Sequence, residues 1–80
     1  MNADALPRVA LDPREVDALV AELDPRQELV YRLAIRGLCN RCRRDHAFER
    51  RTEELMLGFG RELDAVLAEA GRLASELTRE

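Results

Sequence analysis

The sequence predicts an all-α protein, a small helical hairpin or three-helix unit with a long C-terminal amphipathic helix, completed by self-association or by a partner. Three observations lead to this prediction. Aliphatic residues recur at helical spacing over much of the 80-residue chain. Two Asp-Pro pairs mark helix starts. With no Trp, one Tyr and two Phe, the core must be built mainly from Leu, Val and Ala, which suit helix–helix packing.

The chain is long enough for one domain at most. Residues 1–10 carry no apolar periodicity, so we expect a flexible N-terminal arm followed by a single helical domain over 11–80. No apolar run approaches the length of a transmembrane helix, and the first residues lack the basic and apolar regions of a secretory signal. We therefore expect a cytoplasmic protein with no membrane association.

Two helix starts share one pattern, in residues 11–15 and 23–27. In each, an aspartate (Asp12 or Asp24) precedes a proline, which is favoured at the first helical position. The spacing predicts helices over about 12–23 and 25–36. Gly37 is placed to end the second helix in a Schellman motif, with Leu38 packing back onto the helix.

The last helix is predicted over about 41–78, and its apolar stripe keeps its phase across Gly58 and Gly60. Such a stripe is longer than a helix of about eleven residues can cover, since each residue adds about 1.5 Å. We therefore predict a module that binds proteins, an adaptor or a regulator or inhibitor of a larger protein, or a homodimer with coiled-coil-like packing. The predicted partner-binding residues are Phe59, Leu63, Val66, Ala70, Leu73 and Leu77.

Cys39, Cys42 and His46 form a C-x2-C-x3-H pattern. Two thiolates and an imidazole are three zinc ligands at a usual spacing, so a zinc-stabilised helical module is an alternative prediction. Two other interpretations stay open. The cysteines can be small core residues beside a solvated histidine, or they can have a redox role favoured by the neighbouring arginines.

Six arginines and only two acidic residues lie between positions 36 and 51, within a chain of net charge −3. Arg41, Arg43, Arg44, Arg50 and Arg51 are candidate contacts for an anion or an acidic partner. A DNA-binding regulator that uses this basic segment is a further alternative. The acidic net charge opposes non-specific nucleic-acid binding, and a solvated helix face with local ion pairs also explains the pattern.

The stretch 23–41, from Leu23-Asp24-Pro25-Arg26-Gln27 through Arg36-Gly37-Leu38-Cys39-Asn40-Arg41, resembles the opening of the helix-turn-helix in LuxR-type regulators and, less closely, that of sigma-factor DNA-binding regions. The resemblance implies a second helix anchored by an apolar and a small residue. The chain departs from it there, because Arg43 and Arg44 stand at those positions and Ala47 replaces the expected Leu. Shared capping and helix-ending chemistry explains the likeness, and no family is assigned.

The sequence offers little for catalysis. It contains one histidine, no Gly-rich phosphate loop and no motif for a serine or cysteine nucleophile. We therefore predict that the protein is not an enzyme and that it has no cofactor, unless zinc is bound.

Overall fold

The computed structural model describes residues 12–79, and within this range it is helical with no strand, which confirms the predicted all-α fold. The α-helices are α1 (Pro13–Val20), α2 (Pro25–Leu38), α3 (Asn40–Arg44), α4 (His46–Phe59) and α5 (Leu63–Thr78). A 3-10 turn, Gly60–Glu62, joins the last two. None of these helices has the length and apolar character needed to cross a membrane. The predicted arm, 1–10, lies outside the described residues.

The two predicted helix starts are confirmed. The Asp12 carboxylate accepts a hydrogen bond from the Arg14 N–H at 2.9 Å, and Asp24 accepts one from Gln27 at 2.8 Å. A proline begins each helix. It fits there because an N–H in the first turn has no acceptor within the helix, so the N–H that proline lacks is not needed. The first helix ends at Val20, earlier than the predicted end at 23.

The predicted helix end at Gly37 is wrong. Helix α2 continues through Gly37 to Leu38, and among the described residues only Gly60 has the positive φ that a Schellman glycine needs. The reason lies in Cys39, whose extended backbone (φ −126°) lets it end one helix and begin the next. Its N–H donates to the Ile35 carbonyl at 2.9 Å, so the chain turns without a left-handed residue.

The long C-terminal helical segment is present but is interrupted twice. Asp45 separates α3 from α4 and caps the latter by accepting from the Phe48 N–H at 2.8 Å. Gly60 then adopts φ 52° and ψ −117°, where the predicted continuous helix would have required helical angles. An L-residue rarely adopts such a conformation, so glycine is needed at the bend. The apolar stripe is thereby divided between α4 and α5.

Helix α2 is the centre of the fold, with the other helices packed around it. It contributes to two buried clusters. The first joins α1, α2, α3 and α4 through Val16, Val20, Ile35, Cys39, Cys42 and Phe48. The second joins α2, α4 and α5 through Leu29, Val30, Leu33, Leu55, Val66 and Ala70.

The packing of α5 on α2 is the most extensive between any two helices. Arg26 and Glu69 form an ion pair at 3.0 Å across this contact, and Tyr31 lines the same hollow as Leu73 and Glu76. Helices α2 and α5 have 14 and 16 residues. The bend at Gly60 divides the apolar stripe into a shorter portion on α4 and another on α5. Helix α2 can therefore cover most of the portion that lies on α5.

Candidate interaction surface

The predicted partner-binding residues fall into two groups, those buried in the second apolar cluster and those half-buried near its edge. Val66 and Ala70 are 0% and 5% exposed against α2, so they belong to the core of the fold and a partner cannot reach them without opening it. Phe59, Leu63 and Leu73 are half-buried at the edge of the same cluster, and Leu77 is half-buried near the end of α5. The bend at Gly60 lets α2 cover the centre of the stripe, where Val66 and Ala70 lie, and partner binding by the full set stays a prediction.

One side of the stripe is only partly covered. It consists of Leu63, Leu67 and Ala74, and we call it the α5 flank. The spacing of four and then seven residues places these side chains on one side of the helix. Leu67 is 43% exposed, while Leu63 and Ala74 are half-buried. Helix α5 packs mainly on α2 and makes few contacts with α4, and Leu67 stays exposed on this side. A Cβ added at the neighbouring Gly71 would meet no atom within 4 Å, and the surface there is open.

Leu57 is the most exposed large apolar residue described, at 84%. It lies on α4 on the side opposite to the buried Thr52 and Leu55, together with Arg50 and Glu53. A single leucine among charged residues is common on protein surfaces and does not make a patch. Leu57 therefore serves as a comparison for Leu67, with more exposure but without apolar neighbours.

A buried ionic cluster between α1, α2 and α4 was missed by the sequence analysis. The Glu28 carboxylate, in a residue only 7% exposed, accepts hydrogen bonds from Arg32 Nε at 2.8 Å and from Arg51 Nε and Nη2 at 2.9 and 2.8 Å. Arg32 also donates to Asp17 at 2.7 Å. The only signal in the sequence was the i,i+4 spacing of Glu28 and Arg32, which also occurs on solvated helix faces.

The two arginines control the ionisation of Glu28. Hydrogen bonds from Arg51, and then from Arg32, lower the pKa of Glu28 below its ordinary value, although burial acts in the opposite direction. The same contact raises the pKa of Arg51. Arg32 also lies over the ring of Phe48, 5.2 Å from its centroid, which ties the ionic cluster to the first apolar cluster. The arrangement orients α1 and α4 on α2.

The three predicted zinc ligands are placed in different environments. Cys39 and Cys42 are 6% and 0% exposed and lie in the first apolar cluster, whereas His46 is exposed at the start of α4. Between residues 12 and 79 no three His, Cys, Asp or Glu side chains form a group that can hold a metal ion. Zinc binding by this set stays a prediction, which the zinc content of wild type and Cys39→Ser, both purified without chelator, would test.

The Cys42 thiol is held in its protonated form. Burial, together with a hydrogen bond to Cys39, raises the pKa of Cys42 to about 12. Burial, rather than the charge of the neighbouring arginines, therefore dominates the pKa of Cys42, because its side chain lies in the first apolar cluster. Arg41 instead pairs with Asp12 at 3.1 Å.

The five candidate arginines have two kinds of surroundings. Arg41 and Arg51 are engaged in ion pairs with Asp12 and Glu28. Arg43, Arg44 and Arg50 are exposed and form no ion pair with another residue in the described part of the chain. Their positive charges lie on α3 and the first half of α4, and we call these exposed side chains the positive surface of a protein that is acidic overall.

Two hollows border this positive surface. One, of about 460 Å³, is lined by residues that include Asp12, Arg14, Arg41 and Arg44. The other, of about 640 Å³, lies between α2 and α4 and includes Arg43 and Glu49. Their linings are largely charged, and neither hollow contains His46 or a cysteine.

Comparison of the chain with protein-family models, with curated proteins and with solved structures gives no match. The surface must therefore be interpreted from its own chemistry.

Proposed function

We propose that the protein is a small interaction module, an adaptor or regulator that binds another protein through the α5 flank. The observation that carries this proposal is the exposed apolar side of α5. Leu63, Leu67 and Ala74 form a row about three turns long, which matches the apolar face of a partner helix. Burying such a row is favourable at roughly 25 cal/mol per Å² of apolar surface.

The small residues of α5 favour a helical partner over a loop. Gly71 and Ala74 are short and border Leu67, and the space above Gly71 is open. A helix that approaches there can lie close to the α5 backbone, and its larger side chains can contact Leu67. Leu67 would then be the centre of the contact, where the residues that contribute most to binding are usually found.

The positive surface formed by Arg43, Arg44 and Arg50 supports an acidic partner. Exposed arginines that lack local ion pairs contribute more to the rate of encounter than to the stability of the complex. We therefore propose that association slows as salt is raised, while the dissociation rate depends on Leu67. Because the net charge of the chain is −3, we favour a protein over a nucleic acid as the partner.

Site-specific photo-crosslinking in the native cells tests the proposal. A photoreactive amino acid is placed at position 67 or, as a control, at position 57, which is more exposed but has no apolar neighbours. The proposal expects one discrete adduct from position 67, identified by mass spectrometry, and little from position 57. The identified protein, purified, should then bind wild type and bind Leu67→Lys at least about 30-fold more weakly, as for the loss of a contact worth about 2 kcal/mol.

The result also distinguishes the kinds of partner. If the adduct has twice the mass of the chain, the partner is a second copy, and sedimentation equilibrium should show a dimer that Leu67→Lys dissociates. A nucleic-acid adduct, or equal adducts from positions 57 and 67, would contradict the proposal.

A further inference from the structure

The two cysteines are in direct contact inside the fold, and the docking proposal does not use them. The Cys39 sulfur accepts a hydrogen bond from the Cys42 backbone N–H at 3.4 Å, and the Cys42 thiol is hydrogen-bonded to Cys39. Both residues belong to the first apolar cluster. Both carry thiols rather than a disulfide. The core therefore contains two adjacent sulfur atoms at the junction of α2 and α3.

The local backbone favours a bond between these sulfurs. Cys39 is the N-cap of α3 and Cys42 is its third residue, so both side chains lie on the inner side of the same turn. A disulfide needs the two Cβ atoms about 4 Å apart, a distance that neighbouring positions of one helical turn can reach by small adjustments. The product is neutral and apolar, and it therefore suits the surroundings provided by Val16, Ile35 and Phe48.

We propose that Cys39 and Cys42 form a reversible intramolecular disulfide by exchange with a low-molecular-weight disulfide such as glutathione disulfide, and that Cys39 reacts first. In the first step the Cys39 thiolate attacks one sulfur of glutathione disulfide, its S–S bond breaks, and one glutathione thiolate leaves. In the second step the Cys42 sulfur attacks the Cys39 sulfur of this mixed disulfide and displaces the second glutathione, which takes up the Cys42 proton as it leaves. The two cysteine protons end on the two glutathione molecules, and the protein loses two electrons.

The order of reaction follows from access. Cys39 is 6% exposed, whereas Cys42 is 0% exposed. An external disulfide therefore reaches the Cys39 sulfur after a small opening of α3, but it reaches Cys42 only when the cluster itself opens. Arg43 and Arg44 are exposed on α3 next to Cys42 in the sequence, and their positive charge favours the approach of anionic glutathione. Once Cys39 has reacted, its sulfur is already beside Cys42, which makes the second step intramolecular.

Intact-mass spectrometry of the folded full chain tests the proposal. The protein is equilibrated in buffers of set glutathione ratio, quenched with acid and alkylated, so that each remaining thiol gains one label. Wild type should lose two hydrogen atoms and both labels together, with a midpoint that does not depend on protein concentration. Cys42→Ser should stop at a single glutathione adduct on Cys39. Cys39→Ser should form its adduct at least about tenfold more slowly, because it requires the larger opening.

Several results would overturn the proposal: two separate glutathione adducts on wild type, disulfide-linked dimers, or thiols that stay reduced in the fold but oxidise in urea. A faster reaction of Cys39→Ser than of Cys42→Ser would overturn the proposed order. Far-UV circular dichroism checks that each variant folds. If Cys42→Ser does not, Cys42→Val replaces it, since valine matches the apolar cluster. The docking test is independent of this one, because Leu67 and the cysteines lie in different parts of the fold.

Discussion

Neutralising Glu28 should remove a large part of the stability of the fold. In Glu28→Gln the side chain keeps its size but loses the charge that balances two guanidinium groups at 2.8–2.9 Å. The Arg32 side chain is only 5% exposed and would keep only Asp17, which is half-exposed. One of its nitrogen atoms, Nη1, already has no hydrogen-bond partner among the described residues. The substitution therefore leaves a buried charge poorly compensated.

The expected loss of stability in Glu28→Gln follows from the burial of Arg32. Removing one partner of a buried ion pair costs about 3–5 kcal/mol, whereas exposed pairs contribute about 0–1 kcal/mol. An 80-residue domain has a free energy of unfolding of roughly 4–12 kcal/mol, at about 0.05–0.15 kcal/mol per residue. Glu28→Gln should thus lower the free energy of unfolding by about 3 kcal/mol or more, roughly a quarter to three quarters of the total.

Urea denaturation followed by far-UV circular dichroism at pH 7 measures the effect. Glu54→Gln is the matched control, since it makes the same chemical change beside the same Arg51. Glu54 lies 3.9 Å from Arg51, and its side chain is 60% exposed. The control should lose less than about 0.5 kcal/mol. Equal losses in the two variants would refute the reasoning, because burial would then not determine the strength of the pair.

Three further predictions use the same measurements. The pKa of Glu28 is lowered from 4.5 in the folded state, so the charge of Glu28 contributes fully to stability above about pH 4.5. This contribution is lost as the pH falls through the folded-state pKa. The difference in free energy of unfolding between wild type and Glu28→Gln should therefore shrink in acid, and a constant difference would contradict the prediction. Gly60→Ala should lower the free energy of unfolding by about 1–3 kcal/mol, because Gly60 has a φ of 52°. Gly58→Ala should raise it by up to about 1 kcal/mol, because Gly58 lies in a regular helix with open space around it. The opposite order would show that the chain does not bend at Gly60. Asp45→Ala should cost about 1 kcal/mol through the lost cap of α4, with Asp45→Asn close to wild type in melting temperature.

The helices were largely predictable because their signals are local. An aspartate before a proline begins a helix by satisfying backbone groups within the first turn, and the structure has those contacts at Asp12 and Asp24. The bend at Gly60 was not predictable from periodicity, since a short 3-10 turn keeps the apolar residues of α4 and α5 facing the same core. The predicted end of α2 at Gly37 was wrong because Cys39 both ends α2 and begins α3. The preference for glycine after a helix does not describe this arrangement.

The candidate surface was only partly predictable. Periodicity identifies which side chains of α5 are apolar, but it cannot tell which of them α2 covers. Val66 and Leu67 are adjacent in sequence and equally apolar, yet one is 0% exposed and the other 43%. The ionic cluster of Glu28 and Arg51 depends on two residues far apart in the chain, so only the packing of α4 on α2 reveals it.

The most direct test of the docking role is the dissociation constant of the complex with the crosslinked partner, measured for wild type, Leu67→Lys and Leu57→Lys. We predict at least about 30-fold weaker binding for Leu67→Lys, and binding within about threefold of wild type for Leu57→Lys. Equal weakening by both substitutions, or a larger effect at position 57, would contradict a binding surface on the α5 flank.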